Sequence, residues 1–146
     1  MHKNYSYLLV GAQFTLIALM LLFAKDLFAS LIGIGVALLG LFIGLWALRH
    51  NRLGNFQILP ELKKGSHLVT TGPYRLIRHP MYTSVIAMMM GVVIATPTLL
   101  EIILWLLLVL ALTLKARREE RLWMGHDPQH YTTYKQRTKL FLPALL

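Results

Sequence analysis

Residues Leu27–Leu48 read LFASLIGIGVALLGLFIGLWAL, 22 positions without one charged side chain. At 1.5 Å per residue a helix of that length reaches about 33 Å, enough to cross a hydrocarbon core of about 30 Å. Working outward, Tyr5–Ala24 is a second apolar run of 20 residues, and Tyr82–Thr96 and Leu99–Leu114 are shorter runs of 15 and 16. The short runs need their flanks or a locally thinned bilayer to span, and a buried soluble helix pair is the alternative for them. ATPT at 95–98 separates them, with Pro97 where a tight helical hairpin turns.

The whole chain agrees with its runs. It has 146 residues, 56% of them hydrophobic, with a mean hydropathy of +0.57. That is too apolar for a soluble domain of this size, and residues 1–146 read as a single membrane domain. Its expected class is an all-α polytopic membrane protein with four transmembrane helices. No cysteine is present, so disulfides, thiolate metal sites and cysteine nucleophiles are excluded. The net charge of +9 lies beside apolar runs and not on a module that reads nucleic acid, so anionic lipid headgroups are the expected counter-charge. Only His2 and Lys3 precede the first run and no small-residue cleavage site follows a short core, so the first helix is expected to be retained.

With the amino terminus inside, the inner segments carry 14 of the 15 basic residues and only Lys25 lies outside. This asymmetry predicts both termini in the cytoplasm, and the expected location is a prokaryotic inner membrane. In the second run, Gly33, Ala37, Gly40 and Gly44 form a small-residue stripe that lets backbones approach closely, within the chain or in a homodimer. GIG at 33–35 lacks a preceding strand and has Leu38 where a dinucleotide loop needs its third glycine.

Chemistry has room only in the long inner segments, Arg49–Pro80 and Lys115–Pro143. GPYRLIRHPMYTS at 72–84 enters the third helix from the side where KARREERLW at 115–123 leaves the fourth. A hairpin brings Tyr74, Arg75, Arg78, His79 and Tyr82 to one mouth with Lys115, Glu119 and Glu120. Lys115 and Glu119 share a helix face if the fourth helix continues past the membrane surface, while Glu120 points about 100° away. Taken separately, the carboxylates also suit a solvated helix exit, the arginines membrane-surface anchoring, and the tyrosines an interfacial belt. His126 and His130 are four apart, but Pro128 between them argues against an undistorted helix, and no metal site is expected. Tyr131 and Tyr134 with Lys135 and Arg137 fit an amphipathic surface segment.

HLVTTGPYRLIRHPMY, followed by EERLWMGHDPQHYTTYKQR and a late LP, resembles the isoprenylcysteine carboxyl methyltransferase family and, more distantly, the phospholipid N-methyltransferases. The resemblance covers Leu59 to Pro143, the expected methyltransferase core. It implies an integral membrane enzyme that uses S-adenosylmethionine without a Rossmann domain. The implied cofactor site comprises Ser66, His67, Leu68, Val69, Tyr74, Arg78, His79, Pro80, Met81, Tyr82 and Glu119. Lys115 stands where the family has a substrate-linked arginine, and Lys115 and Glu120 are the implied catalytic pair. The resemblance also makes Tyr131 and Tyr134 candidates for a lid over the cofactor. Ser84 replaces a usual glycine, and Asp127-Pro128 replaces a usual Phe-Gly. The expected reaction is methyl transfer to a lipid-like or small amphipathic acceptor. A four-helix transporter and a non-catalytic relative are the rival readings.

The residue chemistry suits that cofactor. A carboxylate such as Glu119 takes an ammonium, tyrosine faces meet a sulfonium, and His79, Arg78 or backbone N–H groups take a carboxylate.

Overall fold

The computed structural model describes residues 2–51, 58–62, 65 and 67–142; Arg52, Lys63, Lys64, Ser66 and Pro143, which carried expectations above, lie outside the described residues. Five α-helices follow one another: α1 (His2–Phe23), α2 (Leu31–His50), α3 (Pro80–Ala95), α4 (Leu99–His126) and α5 (Pro128–Arg137), with a short 3-10 turn at Gly72–Arg75. Among the described residues the sole strand-like pairing is an isolated parallel bridge between Ile77 and Lys139.

Local chemistry sets the boundaries. The second apolar run begins at Leu27, but α2 starts only at Leu31, because the Ser30 hydroxyl caps it by accepting from the Gly33 N–H at 3.1 Å. Pro80 stands at the first position of α3, where its fixed φ suits a helix start and its missing N–H costs nothing. The Thr98 hydroxyl caps α4, accepting from Glu101 N–H at 3.2 Å, and Pro97 occupies the turn before it. α4 does not stop at Leu114: it runs 28 residues, about 42 Å, to His126. The histidine pair at 126 and 130 is thereby split, because Asp127 ends α4 and caps α5, accepting from the His130 N–H at 3.3 Å.

Helices α1, α2 and α4 are long and apolar enough to cross a membrane. α3 is apolar but has 16 residues, a length of about 24 Å. The core joins α1, α3 and α4 through Met20, Met89, Val92, Leu104, Leu108 and Leu112, while side chains such as Leu31, Ile32, Leu38, Leu39 and Phe42 face outward, as lipid contact requires.

The glycine stripe of α2 is filled by the chain itself. A Cβ on Gly33 would lie 2.7 Å from the Gly91 carbonyl oxygen, one on Gly40 2.7 Å from the Met88 nitrogen, and one on Gly44 2.5 Å from the Ser84 hydroxyl. Of the two uses expected for this stripe, packing within the chain is the one seen here: α3 of the same chain lies against it. Ser84 occupies the space that Gly44 leaves, so two small residues on facing helices share one close contact. At one end of the bundle the Lys25 N–H donates to the Thr96 hydroxyl at 3.3 Å, tying the two short turns together. The long segment after α2, the start of α3, the end of α4 and α5 all gather at the other end.

Candidate functional site

The site is built on the 3-10 turn. Gly72 has φ +57°, which favours glycine, and a Cβ there would lie 2.5 Å from the His50 ring. Pro73 follows at the first position of the turn, and Tyr74 is thereby held beside the end of α2. The Tyr134 hydroxyl of α5 donates to the Tyr74 carbonyl at 2.8 Å, joining the turn to the last helix.

The segment after α5 then docks along the entrance to α3. Arg78 N–H donates to the Lys139 carbonyl at 2.7 Å, His79 N–H to the Leu140 carbonyl at 3.2 Å, and Lys139 N–H to the Leu76 carbonyl at 3.1 Å. The Thr83 hydroxyl donates to the Phe141 carbonyl at 2.8 Å. Arg78 secures the junction: its Nε donates to Glu120 Oε1 at 2.5 Å and its guanidinium also donates to the Thr138 carbonyl at 2.5 Å.

The paired glutamates of α4 face different partners, as their 100° offset requires. Glu119 accepts from the Tyr82 hydroxyl and lies 3.4 Å from His79 Nδ1. Glu120 is buried against Arg78, with Lys135 Nζ 3.2 Å from its other oxygen and His79 Nε2 at 3.8 Å. His79 stacks on Tyr82 with ring centroids 5.4 Å apart and meets Phe141 edge-on at 6.3 Å.

Between these elements lies a half-open cleft with an inner volume of about 130 Å³. His67, Leu68, Val69, Tyr74, Arg78, His79, Pro80, Met81, Tyr82 and Glu119 all line it, so ten positions expected around a cofactor share one wall. Ser66, expected with them, lies outside the described residues. Glu120 does not line the cleft, because Arg78 and Lys135 hold it behind the wall. Lys115 does not line it either: it is buried with Nζ donating to Gln13 Oε1 of α1 at 2.5 Å and lying 5.0 Å from the centroid of the Tyr82 ring.

Sequence reasoning missed several lining residues. Trp123 follows Glu119 by one helical turn, a signal that could have found it once α4 was extended. Asn51, Leu59, Glu61 and Leu62 come from the irregular segment after α2, where no periodicity marks them. Tyr131 and Tyr134, open between a surface segment and a lid, are buried and line the cleft, with Trp123 stacked on Tyr131 at 6.4 Å.

Burial shapes the protonation of these groups. It pushes the Tyr74 phenol up to about 12 against a hydrogen bond from Asn51, with Glu119 adding to the rise. Burial also pushes Tyr131 and Tyr134 above the ordinary phenol range. At His79 burial disfavours the imidazolium, but hydrogen bonding and the charges of Glu119 and Glu120 outweigh it, so its pKa lies above the ordinary histidine value.

The same part of the chain is what known proteins share. Over 84 residues the chain is 34% identical to the nickel-cobalt-cadmium resistance protein NccN of Alcaligenes xylosoxydans xylosoxydans, a match covering 57% of this chain and 39% of that protein. The family model for phospholipid methyltransferases matches residues 28–127, which include α2, the 3-10 turn, α3 and all of α4. With more than half of its length matched, the chain belongs to the phospholipid methyltransferase family, that of the isoprenylcysteine carboxyl methyltransferase-like membrane methyltransferases.

Proposed function

We propose that the cleft binds S-adenosylmethionine and that the protein transfers its methyl group to a lipid-like or small amphipathic acceptor. One observation carries this reading: a carboxylate, aromatic faces and a histidine with an unpartnered buried nitrogen converge on one cleft at the end of an apolar bundle. When bound, S-adenosylmethionine would supply a methyl group on a sulfonium, which leaves as a neutral thioether once the acceptor's lone pair has formed the new bond. Glu119 retains acceptor capacity beyond its Tyr82 and His79 contacts and takes the cofactor's ammonium. The faces of Tyr74 and Trp123 suit a sulfonium, while the Tyr82 ring is already taken by His79 and Lys115. Protonated His79 and the backbone of His67–Val69 are the groups for its carboxylate, since the Arg78 guanidinium is committed to Glu120 and Thr138. Tyr131 and Tyr134 exclude water from above, leaving in-line transfer to depend on positioning.

Lys115 belongs on the acceptor side, one turn deeper in α4 than Glu119. A buried ammonium with only a neutral amide and a ring face for partners favours an acceptor that brings electron-rich or anionic atoms to it. Glu120 acts through Arg78 and His79 as a positioning residue. The basic asymmetry supports a cytoplasmic position for the cleft end.

Calorimetry with S-adenosylmethionine and S-adenosylhomocysteine tests the cofactor; binding of both is expected, and binding of neither overturns the reading. Labelled methyl transfer to acceptors matched in headgroup and graded in tail length then tests turnover. Each buried methylene should lower apparent KM by at most about 0.8 kcal/mol, and no methyl incorporation into any amphiphile would identify a non-catalytic relative.

A further inference from the structure

Helix α5 faces two cavities. Tyr131 and Tyr134 look into the cleft described above, while a second, half-open cavity of about 660 Å³ lies between α5 and the 3-10 turn. It is lined by Arg75, Arg137, Thr70, Thr133, Asp127 and His130, and it meets the first cleft across Tyr134 and Leu68. Asp127 lies 2.9 Å from His130 Nδ1, and two arginines against this one carboxylate leave the cavity net positive. Neither Arg75 nor Arg137 makes an ion pair among the described residues, and both are exposed, in contrast to Arg78, which is engaged by Glu120 and Thr138.

We propose that this second cavity binds a phosphate group, through Arg75 and Arg137, as a site separate from that of the methyl acceptor. Two guanidinium forks brought to one cavity from different elements suit a tetrahedral anion that can accept from both, which a single monodentate ligand does not. The cavity is lined by the segment that precedes α3 and by residues from the end of α4 onward, at the basic end of the bundle where an anion is favoured. The same phosphate chemistry comes from an anionic headgroup or from a free phosphate. An anion bridging Arg75 to Arg137 pins α5 to the turn that carries Tyr74, the two elements already joined by the Tyr134 hydroxyl. Phosphate and the ligand of the first cleft therefore tighten one another, since such coupling is reciprocal.

The test uses the full chain in neutral detergent, titrated with inorganic phosphate by calorimetry, and in phosphatidylcholine nanodiscs with phosphatidic acid, whose retention is read by native mass spectrometry. The double variant Arg75→Gln/Arg137→Gln should weaken binding by about tenfold or more. The variant Arg117→Gln/Arg121→Gln removes the same charge from exposed positions of α4 and should weaken it less than about twofold. Should the first double variant fold poorly, Arg137→Gln alone carries the comparison. Binding of inorganic phosphate supports the site with the phosphate group sufficient, and retention of phosphatidic acid alone supports it with the lipid as source. No binding of either probe, or equal weakening by both double variants, overturns it. Phosphate binding in a protein that binds no S-adenosylmethionine would sink the cofactor assignment and leave this site standing.

Discussion

Arg78 Nε lies 2.5 Å from Glu120 Oε1, and the same guanidinium donates to the Thr138 carbonyl. One buried ion pair thus joins the entrance of α3, the polar extension of α4 and the segment after α5. Replacing Arg78 by Gln leaves Glu120 buried with Lys135 as its remaining cation, and should destabilise the fold by roughly 3–5 kcal/mol. Thermal melting measures the loss, and proteolysis should cut the segment around Thr138 sooner than in the parent. An unchanged melt with an unchanged cleavage pattern would remove this pair from the architecture.

Glu119→Gln keeps the side chain's volume and a hydrogen-bonding oxygen for Tyr82, but removes the charge that faces the proposed ammonium. Affinity for S-adenosylmethionine should fall by roughly 1.5–3 kcal/mol, the scale of a hydrogen bond to a charged group. Calorimetry on the folded variant decides it. Equal affinities in variant and parent would reduce Glu119 to a structural partner of Tyr82 and His79.

His79 predicts a pH dependence with a definite sign. Glu119 and Glu120 on α4 hold its folded pKa above the unfolded value, against burial, with Tyr82, Arg78 and Phe141 as its other neighbours. Its contribution to stability is therefore full below the unfolded value of about 6.5 and is lost as pH rises through the folded one. Melting temperatures taken between about pH 6 and pH 9 should decline, and His79→Gln should flatten that decline. A slope that survives the substitution must come from other groups.

The α2–α3 contact allows a paired test. Gly40→Ala forces a Cβ against backbone atoms of Met88 and Ser84 and should cost roughly 1–3 kcal/mol by overpacking. Gly35→Ala, with nothing within 4 Å of its Cβ, should be neutral or stabilise by up to about 1 kcal/mol through helix propensity. If both substitutions behave alike in unfolding assays, the close approach is not what holds α2 to α3.

Membrane orientation is open to chemical labelling because the chain has no cysteine of its own. Cysteines introduced one at a time as Lys25→Cys and Arg121→Cys should label from opposite sides of an intact membrane, as the basic asymmetry requires. Labelling from one common side would overturn the arrangement.

The membrane helices were legible because lipid allows few alternatives: Leu27–Leu48 without a charge has little else to be. ATPT marked the hairpin through proline's lost N–H, whereas the third run was read from Tyr82 and α3 begins two residues earlier, at Pro80. The residues around the cleft were legible through motif resemblance, since Tyr74, His79, Tyr82 and Glu119 come from elements far apart in sequence and no local period links them. What stayed hidden depends on pairing across distance. The stripe at Gly33, Gly40 and Gly44 announced a close neighbour without saying whose, and only the position of Ser84 and Gly91 answers that it is the chain's own. The backbone ladder between Leu76–His79 and Lys139–Leu140 has no side-chain signature, so neither segment alone reveals it. The pairing of Gln13 with Lys115, 102 residues apart on α1 and α4, leaves no local mark in the sequence.

The ladder between those segments also sets an order of events during synthesis. Thr138 lies 60 residues after Arg78, which at about 5–20 residues per second is a lag of roughly 3–12 s. The entrance of α3 is thus made well before the segment that docks on it, and the wall of the cleft is complete only after Thr138–Phe141 has been synthesised.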